Sequence, residues 1–161
     1  MCLVIDACCW SLVFRSQNQG HNSFAPVLKW IAEGNGAMIY GGTKYGAELR
    51  KAQNVLNLVR ELKISRRAIE IPAGRVDALA TDLKQKHPEP QFNDEHIVAL
   101  VIASKCSVVC TNDDVAISYL KRADIFADYV GAKRPKIYRG YKNHIKLCCD
   151  KHITGVCKVG R

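Results

Sequence analysis

The chain has 161 residues and a mass of 17.9 kDa, the size of one ordinary domain that buries roughly 70% of its unfolded surface around a single core. With 48% hydrophobic and 24% charged residues, 11 Gly and 5 Pro, it is neither disordered nor collagenous nor of low complexity, and no uncharged apolar run approaches the roughly 18 residues of a membrane span. The net charge of +9 is uneven: residues 131–161 hold nine Lys/Arg against Asp150, a balance of +8, and residues 1–130 are left at +1.

The apolar start Met1 to Phe14 is broken by Asp6 and has no basic leader, which predicts a cytoplasmic protein with no membrane segment. Eight Cys would suit a disulfide framework only in a chain too small for a core, so the thiols are read as reduced. Leu3 to Ile5 is an unbroken apolar run ending at Asp6, the pattern of a buried parallel strand. After a polar loop from Arg15 to Asn22, Ser23 is placed to cap a helix containing Val27, Leu28, Trp30 and Ile31 that stops near Gly34 and Gly36. Ala37 to Tyr40, ahead of Gly41-Gly42, fits a second strand. From Ala47 to Leu62, Ala52, Val55, Leu56, Val59 and Leu62 recur at helical spacing.

Ala68 to Ile71 is a third strand before Pro72, and Val76, Leu79, Ala80 and Leu83 mark a helix that ends near His87-Pro88. Asp94 to Lys105 is apolar on nearly every side and predicts a helix covered all round. Ser107 to Cys110 is the next strand and Val115 to Leu120 opens another helix. Beyond Gly131 only Lys136 to Arg139 is strand-like. This alternation predicts an α/β fold: a mostly parallel central sheet with helices on both faces. No linker separates two domains, so residues 131–161 are read as a basic extension of the globule formed by residues 1–130.

Four acids stand where ordinary surface charge does not. Asp6 follows the first strand and Asp113 follows the strand Ser107 to Cys110, at the sheet edge where open parallel sheets bind ligands. At about 100° per residue, Glu48 lies within roughly 40° of Ala52, Val55, Val59 and Leu62, so it points inward. Asp94 shares a stripe with Val98 and Val101. Isolated buried carboxylates cost several kcal/mol unless paired, neutralised or bound to a cation. Mg²⁺ or Mn²⁺ would relieve their repulsion and suits oxygen donors and phosphate substrates. The bland reading makes Asn93 or Asp94, and Asp113 or Asp114, helix caps, and pairs Glu48 with Lys44 or Arg50 at little gain.

The segments Leu3-Val4-Ile5-Asp6-Ala7, Tyr45-Gly46-Ala47-Glu48-Leu49, Asn93-Asp94-Glu95-His96-Ile97-Val98-Ala99-Leu100 and Val109-Cys110-Thr111-Asn112-Asp113 together resemble the PIN-domain nucleases, which include the ribonuclease toxins of bacterial toxin–antitoxin pairs. The resemblance covers most of residues 1–125 and implies a metal-dependent endoribonuclease. By that likeness Asp6, Glu48, Asp94 and Asp113 form an acidic quartet holding Mg²⁺ or Mn²⁺, with Thr111 or Asn112 as a polar helper. It also implies RNA as substrate, an antitoxin protein as partner and a homodimer. Two positions depart from the family pattern: Cys8 stands where a small polar residue is common, and Val115 where a second acid is common, which leaves Asp114 as an alternative fourth acid.

In the tail, Lys133, Arg134, Lys136, Arg139 and Lys142 are candidates for the RNA backbone, and Tyr138 and Tyr141 among them could stack bases or be strand residues. His144, Cys148, Cys149, His152 and Cys157 lack the Cys-x-x-Cys spacing of a zinc site. His96 is read as packing or surface, and Trp10 and Trp30 as core. The alternative from another class is a noncatalytic RNA-binding or scaffold protein on the same fold.

Overall fold

Unbroken apolar runs become parallel strands because helices cover both of their faces. The computed structural model describes residues 2–157; Met1 of the apolar start, and Lys158 and Arg161 of the basic tail, lie outside the described residues. Five strands, β1 (Cys2–Ile5), β2 (Ala37–Gly41), β3 (Ala68–Ile71), β4 (Val108–Cys110) and β5 (Lys136–Tyr138), form one sheet. Every pairing is parallel and the order is β3-β2-β1-β4-β5. The connecting helices are α1 (Trp10–Phe14), α2 (His21–Ala32), α3 (Thr43–Lys51), α4 (Gln53–Ile64), α5 (Ala73–Lys86), α6 (Glu95–Ser104), α7 (Asp114–Leu120) and α8 (Ala123–Ala127).

The chain moves outward from β1 to β3, then crosses back to β4 and β5. Right-handed crossovers therefore put the earlier and later connections on opposite faces, and the expected α/β architecture with a parallel central sheet is present. The strand order reverses beside β1 and β4, and the carboxyl ends of such neighbours open a crevice. Helix α6 is buried from His96 through Ser104, as its lack of a polar face predicted. No helix among the described residues is long and apolar enough to cross a membrane.

Several expectations are corrected. The helix predicted from Ala47 to Leu62 is two helices, because Ala52 leaves the helical region at φ −110° and ψ 69°. Helix α2 starts at His21 behind Gly20, whose N–H donates to Asn18 Oδ1 at 2.9 Å, so Ser23 lies inside it rather than capping it. The short helix α1 was not anticipated; it opens at Trp10, which lies in the core as expected. Cys2 in β1 and Cys157 in the tail are joined by a disulfide, so the reading of every thiol as reduced does not hold; both residues are buried.

Candidate functional site

The site begins at the end of β1. Ile5 is locked by two aromatic donors: Trp10 Nε1 at 3.1 Å and the Tyr45 hydroxyl at 2.5 Å both donate to its carbonyl oxygen. The Trp10 and Tyr45 rings meet edge to face with centroids 5.5 Å apart. Asp6, the next residue, is buried, and its N–H donates to Cys110 O at 2.9 Å across the β1–β4 seam. The Thr111 hydroxyl donates to Asp6 Oδ2 at 2.6 Å and accepts from Asp113 N at 3.1 Å. One buried hydroxyl thus ties the first acid to the loop carrying the last. Cys8, a departure from the pattern the sequence resembles, also donates to Asp6 Oδ2, at 3.3 Å. Its thiol pKa is pushed up by the Cys9 hydrogen bond, by burial and by the Asp6 charge, so it is no ready nucleophile.

Asp94 stands just before α6, where a capping role was the bland reading, but its side chain makes no cap hydrogen bond. Burial raises its carboxyl pKa above the ordinary value, and the charges of Asp6 and Asp113 raise it further; His96 and Lys44 act in the opposite direction. Asp94 therefore feels the charges of Asp6 and Asp113 although they are distant in sequence. Asp113 does cap its helix: Oδ1 accepts from Val115 N at 2.7 Å and Ala116 N at 3.0 Å. Asp114 turns away, with its side chain 81% exposed and Oδ1 paired with Arg139 Nη1 at 2.9 Å.

Glu48 is partly buried on α3. The phase argument that aimed it inward ran through Ala52 and fails at the break there, yet Glu48 does face protein. Its Oε1 lies 3.5 Å from Nε2 of the buried His96, and its Oε2 is buried with no hydrogen-bond partner. Burial raises the Tyr45 hydroxyl pKa, and the Asp6 and Glu48 charges add to the shift. Gly41 and Gly42 turn the chain from β2 into α3. Gly42 sits at φ 85°, and a Cβ there would come within 2.8 Å of Val76, so the turn that launches Glu48 requires glycine.

Neither local partner proposed for Glu48 is used. Lys44 instead donates to Glu95 Oε1 at 3.1 Å and to the Asn93 carbonyl, holding a cation beside Asp94. The site roles of Lys44 and Cys8 were missed by sequence reasoning; the one available signal was their closeness in sequence to Glu48 and Asp6. Asn112 is exposed, and of the two proposed helpers only Thr111 reaches an acid through its side chain.

The donors here are carboxylate oxygens, the type a hard cation takes; the Asp94 pKa is raised by burial and by like charges, and a Glu48 oxygen is buried unpaired. Among the described residues no three His, Cys, Asp or Glu side chains stand as a ready group for a metal ion. The tail histidines are engaged elsewhere, His144 Nδ1 accepting from Arg139 N at 2.9 Å and His152 Nδ1 lying 3.0 Å from Ser107 Oγ.

The basic candidates divide. Lys136 and Arg139 line one groove, Lys133 and Arg134 line another beside α8, and Lys142 is exposed on the turn from Lys142 to Leu147. Comparison with known proteins finds no matching family model, no matching curated protein and no matching solved structure.

Proposed function

We propose that the chain is a Mg²⁺- or Mn²⁺-dependent endoribonuclease of PIN type, working on RNA. The observation that carries this reading is the Asp94 carboxyl, uncapped, with its pKa raised first by burial and then by the charges of Asp6 and Asp113. A fold keeps like charges together at a cost unless something positive relieves it. Asp6, Asp94 and Asp113 would hold the ion directly or through water, and Glu48 would be a further ligand or orient a water. A small divalent cation keeps several waters and needs only one or two direct carboxylates, which is compatible with the lack of a three-ligand group among the described residues.

When bound, such an ion polarises a phosphodiester and lowers the pKa of its water. The chain's own residues do the rest. Thr111 fixes the Asp6 carboxylate, the Ile5 clamp fixes its backbone, and Lys44 places a positive charge beside Asp94 for an incoming phosphate oxygen. RNA rather than DNA rests on the PIN resemblance.

The test is cleavage of a labelled RNA with Mn²⁺ against EDTA, by the wild type and by Asp6→Asn and Asp94→Asn. The expected result is metal-dependent cleavage by the wild type alone, with binding kept by both variants. Binding without cleavage in all three proteins would support the noncatalytic alternative, and equal cleavage by all three would remove these acids from the reaction.

A further inference from the structure

We infer that the groove along the outer edge of β5 binds an unpaired nucleotide of a single-stranded RNA, with the base on Tyr141 and the phosphates on Lys121, Lys136 and Arg139. This deepens the ribonuclease reading, on which it rests, by naming the strandedness of the substrate and its path to the acids. The groove has a volume of about 530 Å³, and no acid lines it. That size lies within the roughly 300–1,000 Å³ of small-ligand clefts.

Its chemistry selects the occupant. Lys121 and Lys136 make no ion pair among the described residues, so their charges are available. Among the described residues Arg139 forms an ion pair only with Asp114, a carboxylate exposed enough to be exchanged for phosphate, and its Nε is buried with no hydrogen-bond partner. Cations alone would accept any polyanion, but the aromatic residue is selective. Of the two tail tyrosines, Tyr138 is fully buried and its hydroxyl donates to Ser23 O at 2.9 Å. Tyr141 is 56% exposed, with His144 packed against it edge to face and the Arg139 guanidinium 5.9 Å from its ring centre. The guanidinium lies over one face of a ring that is otherwise largely open to solvent, so an unpaired base can stack on what remains exposed.

The groove also lies beside the acidic crevice. Thr111 N donates to Tyr138 O at 3.2 Å, so the ends of β4 and β5 are joined, and Arg139 is the next residue. Through Asp114 it touches the residue after Asp113. A strand seated on Tyr141 therefore reaches the acids within a short length of backbone.

The test is fluorescence anisotropy in EDTA with a labelled single-stranded RNA 12-mer and the same sequence as a duplex. The wild type is expected to prefer the single strand. Tyr141→Ala should weaken single-strand binding about 5- to 100-fold, the loss of one stacked base, while Tyr141→Phe retains most of it. Lys136→Ala should reduce the slope of log K against log salt by about 0.7. Equal binding of duplex and single strand, or a Tyr141→Ala variant binding like the wild type, overturns the groove. Mn²⁺-dependent cleavage is read separately. Tyr141-dependent binding without cleavage keeps the groove and removes the nuclease reading, and cleavage with Tyr141-independent binding does the reverse.

Discussion

Replacing Thr111 by Val removes a hydroxyl that bonds Asp6, Asp113 and Cys8 and leaves the side-chain shape almost unchanged. Thr111 is fully buried and donates to the buried Asp6 carboxylate at 2.6 Å while accepting from Asp113 N at 3.1 Å. A hydrogen bond to a charged group contributes about 1.5–3 kcal/mol, and the abandoned Asp113 N–H adds about 0.5–1 kcal/mol, so the variant should lose about 2–4 kcal/mol. For a chain of this length each kcal/mol lowers Tm by about 2–4 °C, which makes the expected fall about 5–15 °C. Thr111→Ser is the control: it keeps the hydroxyl and loses a methyl, at about 1 kcal/mol. Thermal unfolding followed by circular dichroism at pH 7 in EDTA compares the three proteins. A Val variant that melts no lower than the Ser variant would show that packing, not the bond to Asp6, is what Thr111 contributes.

Asp94 holds its proton to higher pH in the fold than in the unfolded chain, chiefly through burial and then through Asp6. The native state binds more protons across that window, so stability falls as pH rises through it. Asp94→Asn should therefore be more stable than the wild type in urea at pH 7, with the gap closing as pH drops below the ordinary carboxylate range; a gap independent of pH would mean that the Asp94 charge is not opposed in the fold. Cys2 and Cys157 are 155 residues apart, and a cross-link closing so long a loop stabilises by about 2–5 kcal/mol. Reductant should lower Tm by about 5–20 °C, and unchanged melting with both thiols free in a peptide map would refute the link.

The strands were legible because buried parallel strands carry an unbroken apolar signal: Leu3 to Ile5, Ala37 to Tyr40 and Ser107 to Cys110 are found within a residue or two of their predicted ends. The break at Ala52 was not, since Ala is the best helix former and the apolar spacing runs straight through it. Whether Asp94 or Asp113 caps its helix was equally hidden. Both precede apolar helices, and only the geometry shows that Asp113 uses its carboxylate on backbone N–H groups and Asp94 does not. The Cys2–Cys157 link pairs residues whose spacing carries no local signal, and the division between a buried Tyr138 and an open Tyr141 depends on where β5 ends.

The interruption at Ala52 divides labour between two helices. Its downstream partner α4 commits Val55, Val59 and Leu62 to the interior, whereas α3 delivers Glu48 and Lys44 to the acids. A single rod would have coupled these duties, so that retuning the chemistry meant repacking the interior. With a joint between them, substitutions on the upstream piece can alter the acidic crevice while the downstream piece keeps its seat, and the reverse.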